Sequence, residues 1–214
     1  MKNYFRLLQC NSLLLIMINL IWSNMITSQN TTNRPVTEAK GLKVGSKVEN
    51  FIAKDVKGNT FVLKDALEKG PVVVVFIRGQ WCPFCNRHLA HLQDSLNLIH
   101  EKGASVVVIS PEKQEFIEKS IAKSGAKFPI LYDEGYKISD LFDVTFKPDS
   151  ISRLMYNSLL GAKLKESHSD DSERLPVPAT FILNKEGKIV WRHFDPDYKK
   201  RSTIKEILQN IPSS

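Results

Sequence analysis

The stretch PVVVVFIRGQWCPFCNRHLAHLQDSLNLI, residues 71–99, carries two periodicities joined at a pair of cysteines. Its first part, Pro71 to Ile77, is an unbroken run of β-branched and aromatic side chains. That pattern belongs to a strand buried on both faces. After the cysteines the apolar positions Leu89, Leu92, Leu96 and Ile99 fall at steps of three and four, which predicts a helix closed by Gly103. The junction RGQWCPFC, residues 78–85, therefore sits between the end of a buried strand and the start of a helix.

Such a junction suits thiol chemistry. A sulfur just ahead of a helix lies near unpaired backbone N–H groups and the positive end of the helix dipole, which favour thiolate over thiol. Cys85, three residues after Cys82, is one turn away, close enough for the pair to cycle between dithiol and disulfide. Pro83 fits the first turn, where its missing N–H costs nothing, and limits flexibility between the sulfurs. Trp81 and Phe84 are expected to wall the site and offer a docking surface. Arg78, four residues before Cys82, can place positive charge near the thiolate.

Two blander readings of the cysteines are weaker. A permanent structural disulfide closing so short a loop adds about 2 kcal/mol in the chain-entropy model, less than a longer loop gives. A metal site built on Cys82, Cys85, His88 and His91 fails on geometry. Steps of three turn a helix backwards by about 60° each, so His91 faces away from Cys85 and four ligands cannot converge. The two histidines are expected on the helix surface or rim.

The chain has 214 residues, 42% hydrophobic and 25% charged, within the range of one ordinary globular domain. Lys2 and Arg6 precede the apolar run LLLIMINLI, residues 13–21, followed by small polar residues, which predicts a signal peptide over 1–28. The run is too short for a standard membrane-spanning helix, so no stable membrane insertion is expected once the signal is removed. Its removal takes Cys10 with it and leaves Cys82 and Cys85 as the only cysteines, in an exported, periplasmic or secreted setting that tends to oxidise thiols.

The formal net charge of +7 is spread along the chain without a block of five basic residues, which argues against nucleic acid as a partner. The densest cluster, Lys199-Lys200-Arg201, reads as the solvated start of the last helix.

Residues 29–45 read as a flexible lead-in to a domain over 46–214. VENFIAKDVKGNTFVLKDAL predicts a hairpin turning at Lys57-Gly58-Asn59, then a helix from about Lys64. ASVVVIS (104–110) is a second buried strand, and Ser110-Pro111 is expected to cap a helix ended by Gly125. FPILYD (128–133) predicts a third strand and KISDLFDV (137–144) a short helix. ATFILN and KIVWRHF predict a hairpin turning at Gly187, and Thr203 with Glu206 a capping box on a last helix. The stretch at about 145–176 reads as a partly helical insertion. The order predicts an α/β domain, a central mixed β-sheet flanked by helices on both faces.

With these residues in view, the sequence resembles the thioredoxin-fold redox proteins, in particular the peroxiredoxin-like branch of the alkyl hydroperoxide reductase/thiol-specific antioxidant (AhpC/TSA) family. Three blocks carry the likeness: GSKVENFIAKDVKGNTFVL, FIRGQWCPFCNRHLAHLQ and LPVPATFILNKEGKIVWRHFDPDYKKR. The resemblance implies a thioredoxin-like fold, a redox disulfide between Cys82 and Cys85, and no cofactor. It places Cys85 at the family's peroxidatic position and Cys82 where threonine is usual. Pro178 stands where those peroxidases carry an arginine and looks like the cis-proline facing the cysteines in thioredoxins, which implies a cis Val177–Pro178 bond. The buried acid of thioredoxins has no counterpart six residues before Cys82, where Phe76 stands.

Two activities follow from the resemblance. The first, favoured by the family as a whole, is a thiol peroxidase that takes hydrogen peroxide or organic hydroperoxides and is re-reduced by a thioredoxin-type protein. The alternative, favoured by C-P-F-C and Pro178, is a thiol:disulfide oxidoreductase in which Cys82 attacks a protein disulfide and Cys85 resolves it. A binding module with a redox-inert pair is the reading from a different class, and no residue favours it.

Overall fold

A computed structural model describes residues 33–212. The predicted signal peptide and Cys10 lie outside the described residues. The alternation of side chains along a strand organises the whole domain. In strand β3 (Val72–Phe76) every residue is buried. Val73 and Val75 join one apolar cluster, while Val72, Val74 and Phe76 join the other.

Strand β3 is central to a five-stranded sheet with β4 (Ser105–Ser110), β5 (Ile130–Tyr132), β8 (Ala179–Leu183) and β9 (Ile189–Phe194), in the order β5-β4-β3-β8-β9. β3 pairs parallel with β4, and β4 with β5. β8 runs antiparallel to both β3 and β9. The sheet is mixed, as the sequence predicts, with the β8–β9 turn at Gly187 in a positive-φ conformation.

One face of the sheet carries Leu89 and Leu92 of helix α2 (Pro83–Asp94), Leu96 and Ile99 of α3 (Leu96–Glu101), Ile117 of α4 (Gln114–Ser124) and Ile207 of α8 (Ile204–Asn210). The other carries Leu63 and Leu67 of α1 (Leu63–Lys69) and Ile138 of α5 (Lys137–Leu141). The hairpin β1 (Ile52–Lys54) with β2 (Thr60–Val62) stands apart as a two-stranded sheet. Residues between 145 and 176 leave on β6 (Thr145–Phe146), form α6 (Ser150–Leu159) and α7 (Leu164–Ser167), and return on β7 (Leu175–Pro176) against β6. Among the described residues no helix is long and apolar enough to cross a membrane.

Four expectations are corrected. The helix after the cysteines breaks at Ser95 (φ −107°, ψ 8°), although the buried positions keep their predicted spacing across the break. The helix expected to begin at Pro111 begins at Gln114, because β4 runs through Ser110, whose hydroxyl accepts from the Glu112 amide. Residues 34–45 are fixed to the body instead of flexible. Arg34 pairs with Asp143, Ala39 is buried, and Arg192 donates to the carbonyls of Lys40, Gly41 and Leu42. The Val177–Pro178 bond is trans, since Val177 bonds Val144 and the chain runs on extended from β7 into β8.

Candidate active site

Parallel neighbours end on the same side of a sheet, so the loop after β3 and the turn after β4 meet there, where open α/β sheets place their ligand crevices. The loop after β3 carries Arg78, Gly79, Gln80, Trp81 and Cys82. Helix α2 starts at Pro83 with Cys82 as its N-cap residue. Pro83 is exposed at the head of the helix, whereas Cys82 and Cys85 are free thiols, both fully buried.

The two sulfurs differ in ionisation. A hydrogen bond from the Cys85 thiol, together with the charge of Arg78, brings Cys82 down to about 5 against the opposing effect of burial. Arg78 Nη2 donates to Cys82 Sγ at 3.2 Å. Burial, and then the neighbouring Cys82, push the Cys85 thiol well up. At neutral pH the pair is a thiolate at Cys82 beside a neutral thiol at Cys85. Arg201 Nη2 donates to Cys85 Sγ at 3.4 Å, so this residue is part of the site and not of a solvated surface cluster.

Arg78 is almost fully buried. Its guanidinium lies 3.9 Å from the Tyr198 ring, 4.8 Å from Trp81 and 5.2 Å from Tyr156. Three rings and a thiolate thus hold a cation that cannot be shed in a protein. Trp81 is itself buried in the apolar core, tilted against Tyr156 at 5.1 Å, instead of offering the expected docking surface. Phe84 meets Tyr198 edge-on at 5.7 Å. A cavity of about 260 Å³ opens beside Arg78 and is lined by Tyr156, Pro178, Tyr198 and Lys147. The structure thus brings Arg78, Trp81, Cys82 and Cys85 together, with Pro178 on the cavity wall.

His88, expected on the helix surface, is buried one turn after Cys85, with its Nε2 3.3 Å from the Ser202 hydroxyl. Burial and the charge of Arg201 lower it to about 3, so it is neutral. His91 is exposed. Sequence reasoning missed Arg201 and Glu112. Glu112 follows β4, is fully buried, and accepts from the Gln80 amide at 2.7 Å. The signal for Glu112 was present, an acid two residues past a buried strand parallel to β3, whose following loop carries Arg78.

The sequence profile of the AhpC/TSA family matches residues 44–192, and the chain belongs to that family. Among curated relatives, the thiol-disulfide oxidoreductase ResA of Bacillus cereus is 24% identical over 171 residues, 79% of this chain and 79% of that protein. ResA of Bacillus subtilis is 23% identical over 152 residues, 71% of this chain and 67% of that protein. Among solved structures, the PrxQ of Xylella fastidiosa matches with a TM-score of 0.62 at 15% identity, covering 79% of this chain and 95% of that one. Peroxidoxin BcpB of Mycobacterium tuberculosis matches with a TM-score of 0.57 at 21% identity, covering 72% and 86%. The fold is thioredoxin-like, and family and relatives together support oxidoreductase chemistry.

Proposed function

We propose that this member of the AhpC/TSA family is an exported thiol:disulfide oxidoreductase whose attacking sulfur is Cys82. The observation that carries the reading is the asymmetry of the pair. Cys82 is brought to about 5 beside Arg78, while Cys85 is held protonated. Assigning the first attack to Cys85, as the peroxidase alignment does, needs a thiolate where burial favours the thiol. The curated relatives named for thiol-disulfide exchange lend the same support.

The Cys82 thiolate attacks one sulfur of a substrate disulfide, whose other sulfur leaves as a thiolate and takes a proton from solvent. Cys82 is then a mixed disulfide without charge. Two of the influences raising Cys85, its hydrogen bond to Cys82 and the repulsion from that thiolate, disappear, while Arg201 and Arg78 continue to favour its ionised form. Cys85 loses its proton, attacks Cys82 and expels the second substrate thiolate. The substrate disulfide gains two electrons, the pair becomes a disulfide, and an external dithiol protein of thioredoxin type restores it.

One observation favours thiol peroxidase as a second reading. Both sulfurs are fully buried, and a small oxidant reaches such a site more readily than a protein disulfide. There Cys82 attacks the peroxide oxygen and becomes a sulfenic acid as the alcohol leaves, and Cys85 condenses with it, releasing water.

The test compares a protein disulfide with hydrogen peroxide as oxidant of the reduced chain, using Cys85→Ser as a trap. Exchange faster than peroxide consumption, with a mixed disulfide accumulating on Cys82, supports the proposal. Rapid peroxide turnover without exchange overturns it in favour of the peroxidase.

A further inference from the structure

Glu112 plays no part in the exchange steps, yet it is the buried acid beside the attacking sulfur's loop. The peptide of Gln80, two residues before Cys82, is held from both ends. Its N–H donates to Glu112 Oε2 at 2.7 Å. Its carbonyl accepts from Asn86 Nδ2 at 2.8 Å and Lys123 Nζ at 3.0 Å. Gly79 lets the carboxyl come this close. A Cβ at that position meets Glu112 Oε1 at 2.5 Å and Trp81 Nε1 at 2.7 Å. Oε1 and the Trp81 N–H are both buried, with no hydrogen-bond partner among the described residues.

We infer that Glu112 is a positioning residue of the Cys82–Cys85 centre, its buried carboxyl gripping the Gln80 peptide and fixing the two-residue approach to the attacking sulfur. The inference rests on the reading of Cys82 as the nucleophile.

The ionisable and charged groups facing the carboxyl are Cys82 at the head of α2 and Lys119 and Lys123 on α4. His168 is joined to Glu112 by a backbone bridge and is neutral through burial. Burial dominates, and the carboxyl is pushed up to about 8. The folded chain therefore keeps a proton that the unfolded chain releases near 4.5, so stability declines as pH rises between those values. A carboxamide accepts from Gln80 equally well and carries no such cost. A group that lowers stability where a neutral isostere fits is a mark of function.

The test is the rate of Cys82 alkylation by iodoacetamide against pH, with thermal melting, for the full chain, Glu112→Gln and Glu112→Ala. Because alkylation needs no physiological disulfide, the result stands even if the chain fails to exchange, which would refute the proposed function alone. The parent chain is expected to show a second, rising step near pH 8. There an ionised Glu112 places a negative charge beside Cys82 and makes the thiolate more basic and more nucleophilic. Glu112→Gln is expected to lose that step, to match the parent below pH 7 and to melt higher at pH 8. Glu112→Ala is expected to alkylate several-fold faster throughout. The same step near pH 8 in Glu112→Gln, no step in the parent, or failure of Glu112→Gln to fold overturns the inference.

Discussion

Arg78 Nη2 donates to Cys82 Sγ across 3.2 Å, with the guanidinium stacked on Tyr198 at 3.9 Å. A buried cation at that distance stabilises the thiolate far more than an exposed one does, because little solvent screens it. Replacing Arg78 with Met keeps apolar volume and removes the charge. The Cys82 inflection is expected to rise from about 5, and reactivity at pH 5 to fall with it, approaching about tenfold for each further unit of rise once the thiol form dominates. Thiolate absorbance against pH measures it.

Cys85 also holds Cys82 down, since its thiol hydrogen bond is the leading influence that lowers Cys82. Cys85→Ala is therefore expected to raise the Cys82 inflection, and Cys85→Ser, which keeps a donor, to raise it less. Parallel thiolate titrations of the two variants check the order.

Gly79 sits at φ 145° with Glu112 Oε1 2.5 Å from where a Cβ would stand. Gly79→Ala is expected to cost about 1–3 kcal/mol through backbone strain and crowding. It should also speed Cys82 alkylation, as Glu112→Ala does, since the displaced carboxyl releases the Gln80 peptide. Denaturant unfolding and alkylation kinetics measure the two effects separately.

Two neutral buried histidines predict a steep loss of stability in acid. His88 and His168 are each lowered to about 3 by burial, from an ordinary 6.5. As pH falls below 6.5 the unfolded chain takes up protons that the folded chain refuses. Stability present above 6.5 is therefore lost towards pH 3, by up to about 1.4 kcal/mol per pH unit for each histidine. His168→Gln is expected to flatten this slope in melting curves between pH 7 and 4, whatever it does to stability at pH 7.

The sheet, its two helical layers and the cysteine pair were legible in the sequence because burial writes itself locally, as in Val72–Phe76 and Leu89–Ile99. The trans geometry at Pro178 was not, since the cis expectation came from likeness to thioredoxins and not from the residues around Pro178. Nor was the direction of the dithiol asymmetry, which depends on burial and charge from distant parts of the chain. Arg201 reaches Cys85 from 116 positions away, and Glu112 reaches Gln80 from 32. Each reads as an ordinary surface charge until the sheet brings strand ends together. Fixing of residues 34–45 likewise depends on Arg192, more than 140 positions on.

Labelling the reduced chain with iodoacetamide from pH 4 to 7, and locating the label by peptide mass spectrometry, tests whether Cys82 is the attacking thiolate. Label on Cys82 with an inflection near pH 5, and Cys85 unmodified, is the predicted result. Label appearing first on Cys85, or on Cys82 only at the pH of an ordinary thiol, contradicts it.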